Sequence, residues 1–163
     1  MAPPSTAGDI SREDDPFDLR RFTEAQQGIH ASVLAELNAG RKHTHWMWFI
    51  FPQFDGLGQS ATSRFYAIKS LDEARHYLHH PVLGARLLGC AEAVLAVANR
   101  SAAEIFGSPD DLKLKSSMTL FAALKDAPAV FAQVLDRYYG GERDERTLQL
   151  LAKCKEKAGH RDI

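Results

Sequence analysis

The chain has 163 residues, which at ~100–200 residues per domain is one domain, large enough to bury a core without disulfide or metal staples. Twenty basic against twenty-one acidic side chains leave a net charge of -1, which excludes a globally basic nucleic-acid binder. No apolar run approaches the ~18 residues of a membrane helix, no signal-peptide h-region opens the chain, and Cys90 and Cys154 stand outside any Cys-x-x-Cys pair; a cytoplasmic protein with reduced thiols and no membrane partner is expected.

Residues 1–16 read as a disordered leader. Pro3, Pro4, Gly8, Asp9, Glu13, Asp14 and Asp15 crowd it, and almost nothing apolar is present to recover the entropy of ordering. A single helical domain is expected over 17–157, with 158–163 fraying. Ala25, Ile29, Val33 and Leu37 recur every four residues, with Phe22 and Leu34 widening the stripe, so a first helix is predicted up to Gly40. Trp46-Met-Trp-Phe-Ile-Phe51 is the one strand candidate, since so short an apolar run cannot be told from buried helix by period. Ser60 opens a short helix carrying Arg64 and Tyr66. Ser70 caps the next helix, whose first turn holds Asp72 and Glu73, and Pro81 ends it.

A longer helix follows over 82–98, with Leu83, Leu87, Ala91, Val94 and Ala98 inward. Ser101 and Glu104 have the capping-box spacing and open a short helix ended by Gly107. Residues 109–112 read as a turn or a first helical turn. Met118, Leu120, Phe121 and Leu124 put apolar groups on more than one face of 116–125, which predicts a central, buried helix. Pro128 suits the start of a helix lined by Val130, Phe131, Val134, Leu135 and Tyr138, and Gly140-Gly141 ends it. A last helix over 144–157 is acidic at its start and basic at its end. The sum is an all-α fold, a globule of about six to eight helices.

Two stretches are chemically unusual. In 41–66 both tryptophans, Trp46 and Trp48, are followed by Phe49, Phe51 and Phe54, and bracketed by His43, His45, Gln53, Asp55 and Gln59. Aromatic faces beside irregular polar backbone are what a pocket for a flat small molecule needs. The plain alternative is that the aromatics build core. Arg64 is positioned to clamp an anionic group, or is simply exposed. In 104–121 Asp110 and Asp111 precede Lys113 and Lys115, and Ser116, Ser117 and Thr119 enter an apolar segment. Hydroxyls and backbone N–H groups at a positive helix end suit phosphate or carboxylate, unless they serve only as local caps. The ligand-binding set is therefore His45, Trp46, Trp48, Gln53, Arg64, Tyr66, Lys113, Ser116 and Ser117. Asp55, Asp110, Asp111, Glu92 and Lys69 are the acid–base groups at hand, with no catalytic residue assigned.

His76, His79 and His80 share helical spacing with Glu73, but no second Glu-x-x-His exists and no zinc pattern is completed, so they read as a solvated helix end. Cys90 among Leu87, Leu88 and Ala91 reads as a buried, inert thiol. No cofactor is called for.

His45-Trp-Met-Trp-Phe-Ile-Phe-Pro-Gln53, Tyr66-Ala-Ile68, His80-Pro-Val-Leu-Gly84, Ile105-Phe-Gly107-x-Pro109-Asp-Asp111 and Lys113-Leu-Lys-Ser-Ser-Met-Thr-Leu-Phe121 together resemble an uncharacterised bacterial domain-of-unknown-function family, sometimes labelled "calpastatin". The resemblance covers about 17–152 and implies one mainly α-helical domain with no established activity. The run from His79 to Gly89, then Ile105-Phe-Gly107 and Asp110, is more weakly similar to the C-terminal half of the NADAR family. That likeness implies action on N-glycosidic bonds of ADP-ribose-type or riboflavin-pathway compounds. The family's Glu-His pair before a Gln-x-x-Lys helix has no match here; Ser63-Arg64 and Tyr66-Ala-Ile-Lys69 occupy that place. The expected function is a nucleotide-type small-ligand pocket, extended to an N-glycosidase, with oligomeric state open. The alternative is a non-enzymatic interaction module whose aromatic block is structural core.

Overall fold

Seven of the buried residues fall on one helix, and six of them, Ser116 to Phe121, are consecutive. A helix can bury all its faces only if neighbours surround it, so this segment is the axis of the molecule. The computed structural model describes residues 14–161, with side chains through Lys155. Ten helices lie among the described residues: α1 (Arg20–Gln26), α2 (His30–Asn38), α3 (Met47–Ile50), α4 (Ala61–Phe65), α5 (Leu71–His79), α6 (Leu83–Ala96), α7 (Ala102–Phe106), the axial α8 (Asp110–Ala122), α9 (Ala129–Tyr139) and α10 (Glu145–Arg161). No named strand occurs among them, and the extended pairing is confined to a parallel bridge between Phe54 and Ile68. None of these helices is long and apolar enough to cross a membrane.

α8 packs on α9, α7, α10 and α5, and α6 packs on α9, α2, α5 and α3. The two helices thus share neighbours, and their apolar sides meet in one core. Leu83, Leu87, Ala91 and Val94 face it from α6, and Val130, Phe131, Val134 and Leu135 from α9. A Cβ on Gly84 would sit 1.9 Å from the Leu78 carbonyl oxygen, so only glycine lets α6 come this close to the end of α5.

The helix count exceeds the expected six to eight for identifiable reasons. The first predicted helix is two, because Gly28 at φ +79° turns the chain between α1 and α2 while the apolar stripe runs on across the break. The strand candidate 46–51 is the single turn α3, in which the Trp46 carbonyl accepts from Ile50 N–H at 3.2 Å; no neighbouring strand offers it a ladder. α6 stops at Ala96, so Val97 turns inward and Ala98, expected inside, is exposed. The last helix reaches Arg161 rather than 157. Most of the expected leader, 1–13, lies outside the described residues, as do 162 and 163. Within the rest of it, Asp15 caps α1 by accepting the Leu19 and Arg20 N–H groups at 2.8 and 3.0 Å.

One buried ion pair ties the first half of the chain together. Arg21 spends all five of its donors: on the carbonyls of Phe17, Asp18, Phe65 and Ala67 at 2.7–3.0 Å, and on the Glu73 carboxylate at 2.6 Å. The two side chains are 7% and 2% exposed. Glu73 also accepts the Lys69 N–H at 2.9 Å, and its own N–H is taken by the Ser70 cap. Removing one member of such a pair strands the other in the interior. Arg21→Ala is expected to cost about 3–5 kcal/mol in urea unfolding. Arg21→Lys should recover little, since a point charge cannot reach five acceptors.

Candidate functional site

The aromatic block takes its shape from a carboxylate outside it. Glu36, near the end of α2, accepts the backbone N–H of His43 at 2.6 Å and of Thr44 at 3.1 Å, the Thr44 hydroxyl at 2.6 Å and the Trp46 indole N–H at 3.0 Å. Burial pushes the Glu36 carboxyl up, but these four hydrogen bonds outweigh it and hold its pKa at about 2. Lys42 N–H reaches the Ile105 carbonyl at 2.7 Å, which pins the same loop to α7. Trp46 is consequently sealed, 1% exposed, between Phe51 and Phe106.

Trp48, two residues on, has a different fate. Its ring is half-buried, and the Lys113 ammonium from α8 sits 5.2 Å from the ring centroid. Its indole N–H is shut away from solvent without a hydrogen-bond partner. Lys113 is held 3.5 Å from Asp110, whose other oxygen binds Lys42 at 3.0 Å, and Lys42 lies 5.1 Å over Trp46. The two unusual stretches therefore meet: two ammonium groups share one carboxylate, and each covers one indole.

The expected ligand-binding residues divide into three groups. Trp48, Gln53 and Tyr66 line one cavity together with Phe54, Gly58 and Ser63, and Lys113 joins Trp48. That cavity is about 10 Å³, room for a single water. Trp46, Ser116 and Ser117 are interior: Ser116 donates to the Leu112 carbonyl at 3.1 Å, and the Ser117 hydroxyl is fully buried and unpartnered. A ligand reaches these three only by opening the core, because all three side chains are buried. His45 and Arg64 are exposed and stand outside the cluster, with the Arg64 carbonyl accepting from Lys69. Among the described residues no group of three or more His, Cys, Asp or Glu side chains is placed to hold a metal ion. Burial pushes the Cys90 thiol up to about 12, so it is inert as a nucleophile at neutral pH.

Residues 16–151 match the family described as "Protein of unknown function (DUF1810)". The chain belongs to the DUF1810 family. It is also similar to the crystal structure of the conserved hypothetical protein Rv1873 from Mycobacterium tuberculosis, at 56% identity and a TM-score of 0.83, over 84% of this chain and 98% of that one. Among curated proteins nothing matches.

In this DUF1810 domain the sequence reading missed Glu36 and Lys42. A glutamate late in a helix looks solvated, and only Gly40 beside it hinted that the chain turns back over it. The Glu36 carboxyl is held below the unfolded carboxylate value of about 4.3. Its stabilising contribution is therefore complete above that value and is lost as pH falls toward 2. Glu36→Gln is expected to be less stable at neutral pH and to lose less stability between about pH 4 and its folded value than the parent. Urea unfolding at stepped pH, followed by tryptophan emission, reads both effects.

Proposed function

We propose that this DUF1810 domain binds a small, flat, anionic molecule of nucleotide type against Trp48, with Gln53 and Tyr66 at the ring and Lys113 at the charge. The observation that carries the reading is the Lys113 ammonium beside an indole whose N–H has no partner. A buried donor left unpaired costs about 1–3 kcal/mol, and a ligand acceptor would return it. The cluster of Lys42, Lys113 and Asp110 carries one positive charge in excess, which favours an anion.

The resting cavity is too small for such a ligand, so binding requires a cover to move. Residues 55–64 are suited to that. None of these ten is buried, and their stem is closed by the bridge between Phe54 and Ile68 and by Lys69 bound to Asp55 at 3.2 Å. An N-glycosidase, the extension drawn from the NADAR likeness, would use Asp110, the carboxylate joined to Trp48 through Lys113. Its role would be to face the positive charge that develops on the sugar as the bond breaks.

A thermal-shift screen with ADP-ribose, NAD, GTP and flavin precursors tests the reading. A ligand at ~100 times its dissociation constant should stabilise the domain by about 2.7 kcal/mol. Trp48→Phe, which removes only the N–H and part of the ring, and Lys113→Gln should each abolish that shift with the fold intact. The sealed Trp46 and the water-sized cavity favour the second reading, an interaction module with the aromatic block as core. On that reading no compound shifts the melting temperature, and Trp48→Phe changes stability alone.

A further inference from the structure

We infer that a second, independent binding site lies between the chain before α1 and the end of α5, and that it takes a neutral primary carboxamide on an apolar or aromatic ring. A cavity of about 380 Å³ is lined there by the apolar Pro16, Phe17 and Leu19 and by the imidazoles of His76, His79 and His80, with Thr23 and three charged side chains completing the wall. That volume is within the ~300–1,000 Å³ of small-molecule sites, whereas the Trp48 cavity admits one water. Pro16, Phe17 and Leu19 supply an apolar wall, and the Phe17 ring lies 4.8 Å from the His76 ring, which fixes that imidazole against it.

The backbone assigns the two imidazoles opposite protons. His76 Nδ1 is 2.9 Å from the Asp72 carbonyl oxygen. A carbonyl only accepts, so Nδ1 carries the hydrogen and Nε2 keeps a free lone pair. His80 Nδ1 lies 3.1 Å from Val82 N–H and 3.2 Å from Leu83 N–H. Both are donors, so Nδ1 must be bare and the neutral ring carries its hydrogen on Nε2. The same contacts cap the start of α6, which explains how that helix begins without a Ser, Thr or Asp side chain. Four residues apart, one ring thus offers an acceptor and the other a donor to the same cavity. A primary carboxamide is complementary: its N–H₂ donates to His76 Nε2 and its carbonyl accepts from His80 Nε2–H. The charged groups of the lining do not call for an ion. Asp15 is spent on capping α1, Arg20 pairs with Glu24 at 3.0 Å, and Asp14 is also engaged.

The test uses the full chain with ¹⁵N-labelled histidine. Long-range ¹H–¹⁵N spectra at mildly alkaline pH should show His76 protonated on Nδ1 and His80 on Nε2. Benzamide is then titrated, with benzoate as the matched ring that lacks the donor. Benzamide should shift the side-chain signals of His76 and His80 together, and benzoate should bind about tenfold more weakly or worse, the worth of one lost hydrogen bond. Phe17→Ala should weaken benzamide further while His80 keeps its tautomer, which shows that the α6 cap persists. Identical tautomers on the two rings, histidine signals unmoved by benzamide, or benzoate binding as tightly as benzamide would each overturn the inference.

Discussion

A single guanidinium sets the geometry of the first half of the chain. Arg21 reaches the chain before α1, the stem of the 55–64 excursion and the start of α5, and its charge is answered by Glu73. Taking both charges out of water is costly, and the cost is offset only when every donor finds an acceptor at good geometry. That requirement fixes where Phe65 and Ala67 lie, and therefore where Tyr66 between them enters the Trp48 cavity. The histidine cavity depends on the same residue from the other side, since Phe17 carries both a carbonyl bound by Arg21 and a ring packed on His76.

Among the described residues, interior polar groups elsewhere follow one rule with three departures. Gln26 reaches the Phe49 carbonyl at 2.7 Å and the Tyr77 hydroxyl at 3.2 Å, and Arg86 closes on its oxygen at 3.3 Å. Thr119 donates to the Lys115 carbonyl and accepts from Asp144 N–H, joining α8 to the start of α10. Against these stand the Ser117 hydroxyl, the Trp48 indole and His30 Nε2, each buried without a partner. Burial, with Arg86 nearby as a second influence, lowers the His30 pKa. Orphaned atoms are uncommon in folded chains, and two of these three belong to the blocks that stood out in the sequence.

What the sequence disclosed was mostly local. Ser70 accepts Glu73 N–H, Ser101 and Glu104 form their reciprocal box, and Gly107 and Gly140 follow helix ends, because each of these devices is complete within a few residues. The burial of the second half of α8 was equally legible, since apolar groups on more than one face of a helix call for neighbours on more than one side. Gly28 was passed over because Ala25 and Ile29 kept the period across it. That Lys113 covers Trp48 was beyond any local pattern, because the two residues lie on separate helices far apart in the chain and only the folded core brings them together. The histidine tautomers were wholly hidden: they are set by backbone groups, Asp72 carbonyl and Val82 N–H, whose direction no side-chain pattern records.

Glu36 carries an implication for moving this aromatic motif between proteins. The bend that seats Trp46 is imposed by a residue on α2, upstream of everything the motif contains. Transplanting residues 41–53 alone into another scaffold would carry the rings without the instruction that orients them. The smallest portable unit begins with α2, and a designer who trims it to the conspicuous tryptophans would graft a greasy, unspecified loop.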